Sequence, residues 1–105
     1  MSVVETTESE VVRVTLDRPR AMNAITVELL QHLRVAIDDA IRAGAKVIVL
    51  AGSDRAFCAG ADLSVVRAAL AGDAAAELAP MVDALHPLIR QLRSLPVPTV
   101  AALEG

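Results

Sequence analysis

Aromatic side chains are almost absent from this sequence: it has no Trp, no Tyr and a single Phe, Phe57. A core built without rings must be aliphatic, and 54% of the 105 residues are apolar. Ala-rich helical stretches beside Val- and Ile-rich strands point to an α/β protein rather than a bundle or a sandwich. Cysteine is equally scarce. Cys58 alone can form neither an internal disulfide nor a metal site, so a reduced, cytoplasmic setting is the simplest reading. Blocks of like charge are missing too. A net charge of −3 offers no basic face for nucleic acid. No uncharged stretch approaches the roughly 20 residues of a membrane span, and the start, MSVVETTESEVV, lacks the basic and apolar regions of a signal peptide. The expected partners therefore include no nucleic acid and no membrane.

Patterned segments begin early. Val11 to Leu16 (VVRVTL) alternates apolar and polar residues, as a half-buried strand does, and Val3 and Val4 can pair with it as an antiparallel hairpin across Glu8 to Glu10. Asp17-Arg18-Pro19 ends the strand, since Pro19 cannot donate to a ladder and biases Arg18 toward extended geometry. A helix follows, with Thr26 as N-cap and Glu28 in its first turn. Leu29, Leu33, Ile37 and Ile41 form its stripe, joined by Leu30, Ala36 and Ala40, and Gly44 is placed as the C′ residue.

Lys46 to Gly52 (KVIVLAG) is a continuous apolar run, the pattern of a strand covered on both faces. After the loop SDRAFCAGAD, Asp62 can cap a helix from Leu63 to Leu70 that Gly72 closes. Asp73 can cap a longer helical stretch to about Leu95, in which Pro80 and Pro87 predict a break or kink near His86-Pro87. A last strand is expected over Thr99 to Leu103. The step between the two later strands through helices is a βαβ crossover, which makes them parallel neighbours, with the Thr26–Ala43 helix against the sheet.

The most informative segment is Phe57-Cys58-Ala59-Gly60-Ala61-Asp62-Leu63, which follows a buried strand and opens a helix. Small residues let the backbone approach a ligand. The N–H groups of Gly60, Ala61 and Asp62 stand where a helix N-terminus offers free donors and partial positive charge. Such donors can stabilise an oxyanion developing on an activated carbonyl. An ordinary strand-to-helix turn is the alternative that these residues alone leave open.

Four stretches stand in order along the chain: PxxxNAI (Pro19 to Ile25), VIVLAG, AFCAGADL and PVPTVAALEG. Together they resemble consecutive signatures of the enoyl-CoA hydratase/isomerase (crotonase) superfamily. The resemblance implies the N-terminal half of a ββα-spiral, crotonase-like domain, incomplete over residues 1–105 and ending where the family's Gly-rich stretch begins, at Gly105. It implies an acyl-CoA-binding enzyme, with an enoyl-CoA hydratase that adds water to a 2-enoyl-CoA through an enolate as the common case. An isomerase or another reaction of the family is the alternative, as is a non-catalytic CoA-binding fragment. No cofactor is implied, since coenzyme A is part of the substrate, and a homo-oligomer is.

By the same resemblance, Ala61 donates its backbone N–H to the thioester oxygen, and Gly60 gives the turn its freedom. The stretch Ala61, Asp62, Leu63, Ser64 lies along the pantetheine, while Arg20, Ala21, Met22 and Ala59 contact the CoA nucleotide, Arg20 with a charge suited to phosphate. The second oxyanion donor and the acid and base glutamates of hydratases fall beyond Gly105, so this chain alone is expected to be inactive. Read from the residues themselves, Asn23 serves the turn by side-chain hydrogen bonds, Asp62 a helix cap, and Cys58 and Phe57 the core. His32 and His86 sit on separate helices with no triad pattern.

Overall fold

The computed structural model describes residues 3–8, 10–53 and 56–103. Strand β1 (Val3–Glu8) pairs antiparallel with β2 (Val11–Leu16), Val3 opposite Leu16 and Glu8 opposite Val11, so the anticipated hairpin forms. Strand β3 (Val47–Ala51) joins β2 in parallel, and β4 (Thr99–Ala102) joins β3 in parallel, giving the order β1-β2-β3-β4. The parallel neighbours read from the βαβ pattern are therefore present.

Residues opposite one another in a ladder share a face. Val12 lies opposite Ile48 and Val14 opposite Leu50. This face carries the core, with Val14 and Ile48 fully buried. Helix α1 (Val27–Arg42) covers it with Leu29, Leu33, Ile37 and Ala40. Full burial of a Leu or Ile is worth about 1.5–3 kcal/mol. The sequence places the helix ends as expected. The Thr26 hydroxyl accepts the Leu29 N–H at 3.1 Å. At the other end the Gly44 N–H reaches the Ile41 carbonyl at 3.0 Å and the Ala45 N–H the Ala40 carbonyl at 3.1 Å, the paired bonds of a Schellman ending.

Two expectations need correction. The apolar run of β3 suggested cover on both faces, yet Val47 and Val49 are only half-buried and their neighbours Val11 and Val100 are exposed. Among the described residues, helices pack on one face of the sheet only, and the composition of the run does not reveal which face lacks a partner. Of the break or kink expected near His86-Pro87, no break forms: the helix runs on as α3 (Ala74–Arg93), through both Pro80 and Pro87. Each proline removes one donor from the ladder, but the remaining turns are held from outside. Leu88 is buried in the core, Met81, Ala84, Leu85 and Leu92 pack against it, and Gln91 Nε2 donates to the Arg34 carbonyl and Asp38 Oδ1 of α1 at 3.0 and 2.8 Å. The shorter helix α2 (Leu63–Ala71) starts at its expected cap, Asp62, and closes at Gly72. It packs against α3.

Candidate ligand-binding site

The loop between β2 and α1 is more ordered than its sequence suggests. Pro19–Ala21 forms a 3-10 turn, a feature the sequence reading did not include, followed by Met22 and Asn23 in the left-handed region at φ 52° and 56°. Asn tolerates that region better than most residues because its short side chain bonds locally. Here Asn23 is fully buried. Its Oδ1 accepts the Arg18 N–H at 2.7 Å and the Ser53 hydroxyl at 3.3 Å, and its Nδ2 donates to the Ala56 carbonyl at 2.9 Å. The role assigned to Asn23 is borne out, and it extends to the loop after β3.

That second loop lies alongside the first. The Ala59 N–H donates to the Met22 carbonyl at 3.0 Å, the Ile25 N–H to the Gly60 carbonyl at 2.6 Å, and the Asp62 N–H to the Ile25 carbonyl at 3.0 Å. The last two bonds make Ile25 and Ala61 a parallel bridge. In a parallel pairing the residue between the two bonded neighbours turns its own N–H and C=O the other way. Ala61 therefore points its N–H away from Ile25. Among the described residues, the N–H groups of Gly60 and Ala61 have no protein partner. The third donor anticipated here, that of Asp62, is not free: Ile25 takes it. Gly60 sits at φ +99°, a conformation that side-chain-bearing residues rarely adopt, which is the freedom expected of it.

Asp62 caps α2 as anticipated. Its Oδ1 accepts the Ser64 N–H at 2.9 Å and the Ser64 hydroxyl at 2.7 Å. The Ser64 hydroxyl, then its N–H, and then Arg18 hold the Asp62 carboxyl below its ordinary pKa, against the opposing effect of burial. The sequence marks Arg18 only as part of a strand end. Instead its guanidinium donates to the Ala24 carbonyl and faces Asp62 Oδ2 at 3.4 Å. Only a contact between residues 44 positions apart reveals this, so no local pattern could have found it.

Between the loops lies an open cleft of about 410 Å³ lined by Arg20, Ala21, Met22, Ala24, Ala59, Ala61, Asp62 and Leu63. Seven of the nine residues singled out from the sequence thus meet at one surface. Gly60 lies in the same turn, and Ser64 is turned to the cap of α2. Met22 and Leu63 offer exposed apolar side chains there, 51% and 70% accessible. The Arg20 guanidinium has no ion pair or hydrogen bond among the described residues. Elsewhere, Cys58 and Phe57 line a wholly apolar cavity of about 170 Å³ with Leu29 and Leu88, in keeping with a packing role. His32 lies beside Glu28 on α1, and His86 is exposed on α3. Among the described residues no group of His, Cys, Asp and Glu could hold a metal ion, and no helix is long and apolar enough to cross a membrane.

A family model described as enoyl-CoA hydratase/isomerase matches residues 6–105. The chain belongs to the enoyl-CoA hydratase/isomerase family. It is 41% identical over 96 residues to a probable enoyl-CoA hydratase of Rhodobacter capsulatus, covering 88% of this chain and 34% of that protein. It is 40% identical over 95 residues to the probable enoyl-CoA hydratase echA6 of Mycobacterium tuberculosis, covering 90% and 35%. The chain thus spans about a third of the length of these curated relatives. The crystal structure of enoyl-CoA hydratase from Thermoplasma volcanium matches all of this chain and 41% of its own at a TM-score of 0.88 and 27% identity. That from Bacillus anthracis matches all of it and 40% of its own at 0.86 and 29%. The fold is accordingly the crotonase fold, seen in its N-terminal region.

Proposed function

We propose that this chain supplies the thioester-binding half of an enoyl-CoA hydratase site, with the Ala61 N–H donating to the carbonyl oxygen of a 2-enoyl-CoA. The observation that carries the reading is the Ile25–Ala61 bridge. It takes up the donor of Asp62 and turns that of Ala61 outward, beside a cleft that also holds Arg20, Met22 and Leu63. When water adds to the double bond of a 2-enoyl thioester, negative charge develops on the thioester oxygen as an enolate. A fixed donor aimed at that oxygen lowers the barrier because it needs no reorganisation as the charge appears. Apolar Met22 and Leu63 suit the pantetheine arm, and the guanidinium of Arg20, without a partner among the described residues, suits a phosphate of the nucleotide. Coenzyme A belongs to the substrate here, and no further cofactor enters the reading.

Proton transfer is a separate matter. Among the described residues, Asp62 is the one carboxylate lining the cleft, and both of its oxygens are engaged, Oδ1 by Ser64 and Oδ2 by Arg18. With its pKa lowered, it is a poor base near neutral pH. This favours binding without turnover by the chain on its own, and leaves hydration or isomerisation to groups outside the described residues. The test is titration of the 15N-labelled chain with butyryl-CoA. The amide signals of Gly60, Ala61 and Arg20–Met22 are expected to move together. Shifts confined to other parts of the fold would defeat the reading. Crotonyl-CoA hydration by the purified chain is expected to stay at background.

A further inference from the structure

Arg18 sits just outside the cleft, yet it touches both loops that form it. Its backbone N–H is fixed on Asn23 Oδ1 at 2.7 Å. One arm of its guanidinium, Nη1, donates to the Ala24 carbonyl, and the other, Nη2, meets Asp62 Oδ2 at 3.4 Å. Asp62 divides its oxygens in the same manner, Oδ1 to Ser64 and Oδ2 to Arg18. A carboxylate serving only as a helix cap has no need of a cation from a loop 44 residues away. The side chains are 27% and 17% exposed, so water screens the pair only in part.

We propose that Arg18 and Asp62 form a clasp that seats the Arg18–Ala24 loop against the Ala59–Asp62 segment and thereby sets the direction of the Ala61 N–H. Arg18 is in this sense a positioning residue, and its meaning for a ligand rests on the reading of the cleft given above. The geometry explains why arginine stands here. Ala24 immediately precedes Ile25, the residue whose N–H and C=O bracket Ala61, and Asp62 immediately follows Ala61. One planar guanidinium therefore grips the neighbours of both members of the bridge at once. A lysine ammonium is a single point charge on a flexible stem and lacks the rigid fork that reaches both acceptors. Without the clasp the three main-chain bonds between the loops remain, but the bridge loses the support on either side of it.

Two variants separate the clasp from the cap. Asp62→Asn keeps an Oδ1 acceptor for Ser64 and removes the charge facing Arg18, while Arg18→Lys keeps the charge and removes the fork. Amide hydrogen exchange of Ala59 and Asp62, whose N–H groups bond across the loops, reads the seating directly, with the amides of α1 as an internal control. Exchange is expected to quicken on the order of tenfold in each variant, the worth of about one net hydrogen bond. The double variant should be no faster than the singles, because the two groups act as one unit. Acetyl-CoA should bind about 2- to 10-fold more weakly to the variants, with a smaller change for coenzyme A itself, which has no thioester carbonyl. Wild-type exchange rates in Asp62→Asn, or additive effects in the double variant, overturn the clasp. Quickened exchange in a chain whose wild type binds neither ligand supports the clasp and refutes the thioester reading of the cleft.

Discussion

Replacing Asn23 by alanine should cost a large part of the stability of this chain, and the size of the loss can be worked from its contacts. The side chain is wholly buried and makes three hydrogen bonds. Truncation leaves the Arg18 N–H and the Ala56 carbonyl without partners, at about 1–3 kcal/mol for each orphaned buried group. The Ser53 hydroxyl, half-exposed, can turn to water at little cost. Asn23 also sits at φ 56°, where alanine is disfavoured by roughly 1–2 kcal/mol. Allowing for relaxation, Asn23→Ala should lose about 3–5 kcal/mol of the roughly 5–15 kcal/mol that a domain of this size possesses. At about 4–8 °C per kcal/mol for small domains, the melting temperature should fall by more than about 10 °C. Asn23→Gly isolates the two contributions, since glycine accepts the left-handed conformation but supplies no hydrogen bonds. It should recover about 1 kcal/mol relative to alanine. Urea unfolding followed by circular dichroism measures all three proteins. A loss below about 0.5 kcal/mol for Asn23→Ala, typical of an ordinary surface site, would refute the buried network, and equal stabilities for alanine and glycine would refute the conformational part.

In a full-length family member carrying this segment, Ala61→Pro removes the outward N–H, which has no partner among the described residues here. Turnover of crotonyl-CoA should drop about 10²- to 10³-fold, or roughly 2.7–4 kcal/mol, whereas Ala61→Ser should stay near wild type; a kcat for the proline variant within threefold of wild type would exclude Ala61 as the donor. Glu5 is exposed overall, but partial desolvation of its carboxyl, and then the nearby Asp39, raise its pKa above the ordinary value. Ionising Glu5 therefore weakens the fold, a penalty absent below the ordinary carboxylate range that sets in as pH rises through the raised value. Glu5→Gln should accordingly stabilise the chain at pH 7 but not at pH about 3.5, and equal urea midpoints for the pair at pH 7 would count against this. Gly52→Ala should destabilise strongly, because a Cβ there would collide with the Ala56 carbonyl oxygen and the Phe57 backbone; a melting temperature unchanged by the substitution would contradict that close approach. Exposed Val4, Val11 and Val100 on one face of the sheet, beside an open edge strand, should drive self-association, and light scattering giving a clean monomer over a wide concentration range would disprove it.

The elements were legible in the sequence wherever their cause is local. Period-two alternation marks β2, and a helical stripe bounded by Thr26 and Gly44 marks α1. Where the deciding partner is distant, reading failed. The continuity of α3 through Pro80 and Pro87 depends on Leu88 and Gln91 gripping other elements, and no window around His86-Pro87 contains them. The open face of β3 was hidden for the same reason, since an apolar run records what a strand can tolerate on each side, not what covers it. The candidate site divides along this line as well. Small residues at Ala59, Gly60 and Ala61 mark the place by composition, and Asn23 marks its turn by local bonding. Which N–H stays free is a different question, because Gly60, Ala61 and Asp62 are equivalent as a string of backbone donors. The bridge from Ile25, a residue 36 positions earlier than Ala61, takes the donor of Asp62 and turns that of Ala61 away from Ile25. Arg18, further still from Asp62, holds that bridge at both sides. The chemistry of this site is thus written in residues close in sequence, while its direction is set by residues far away.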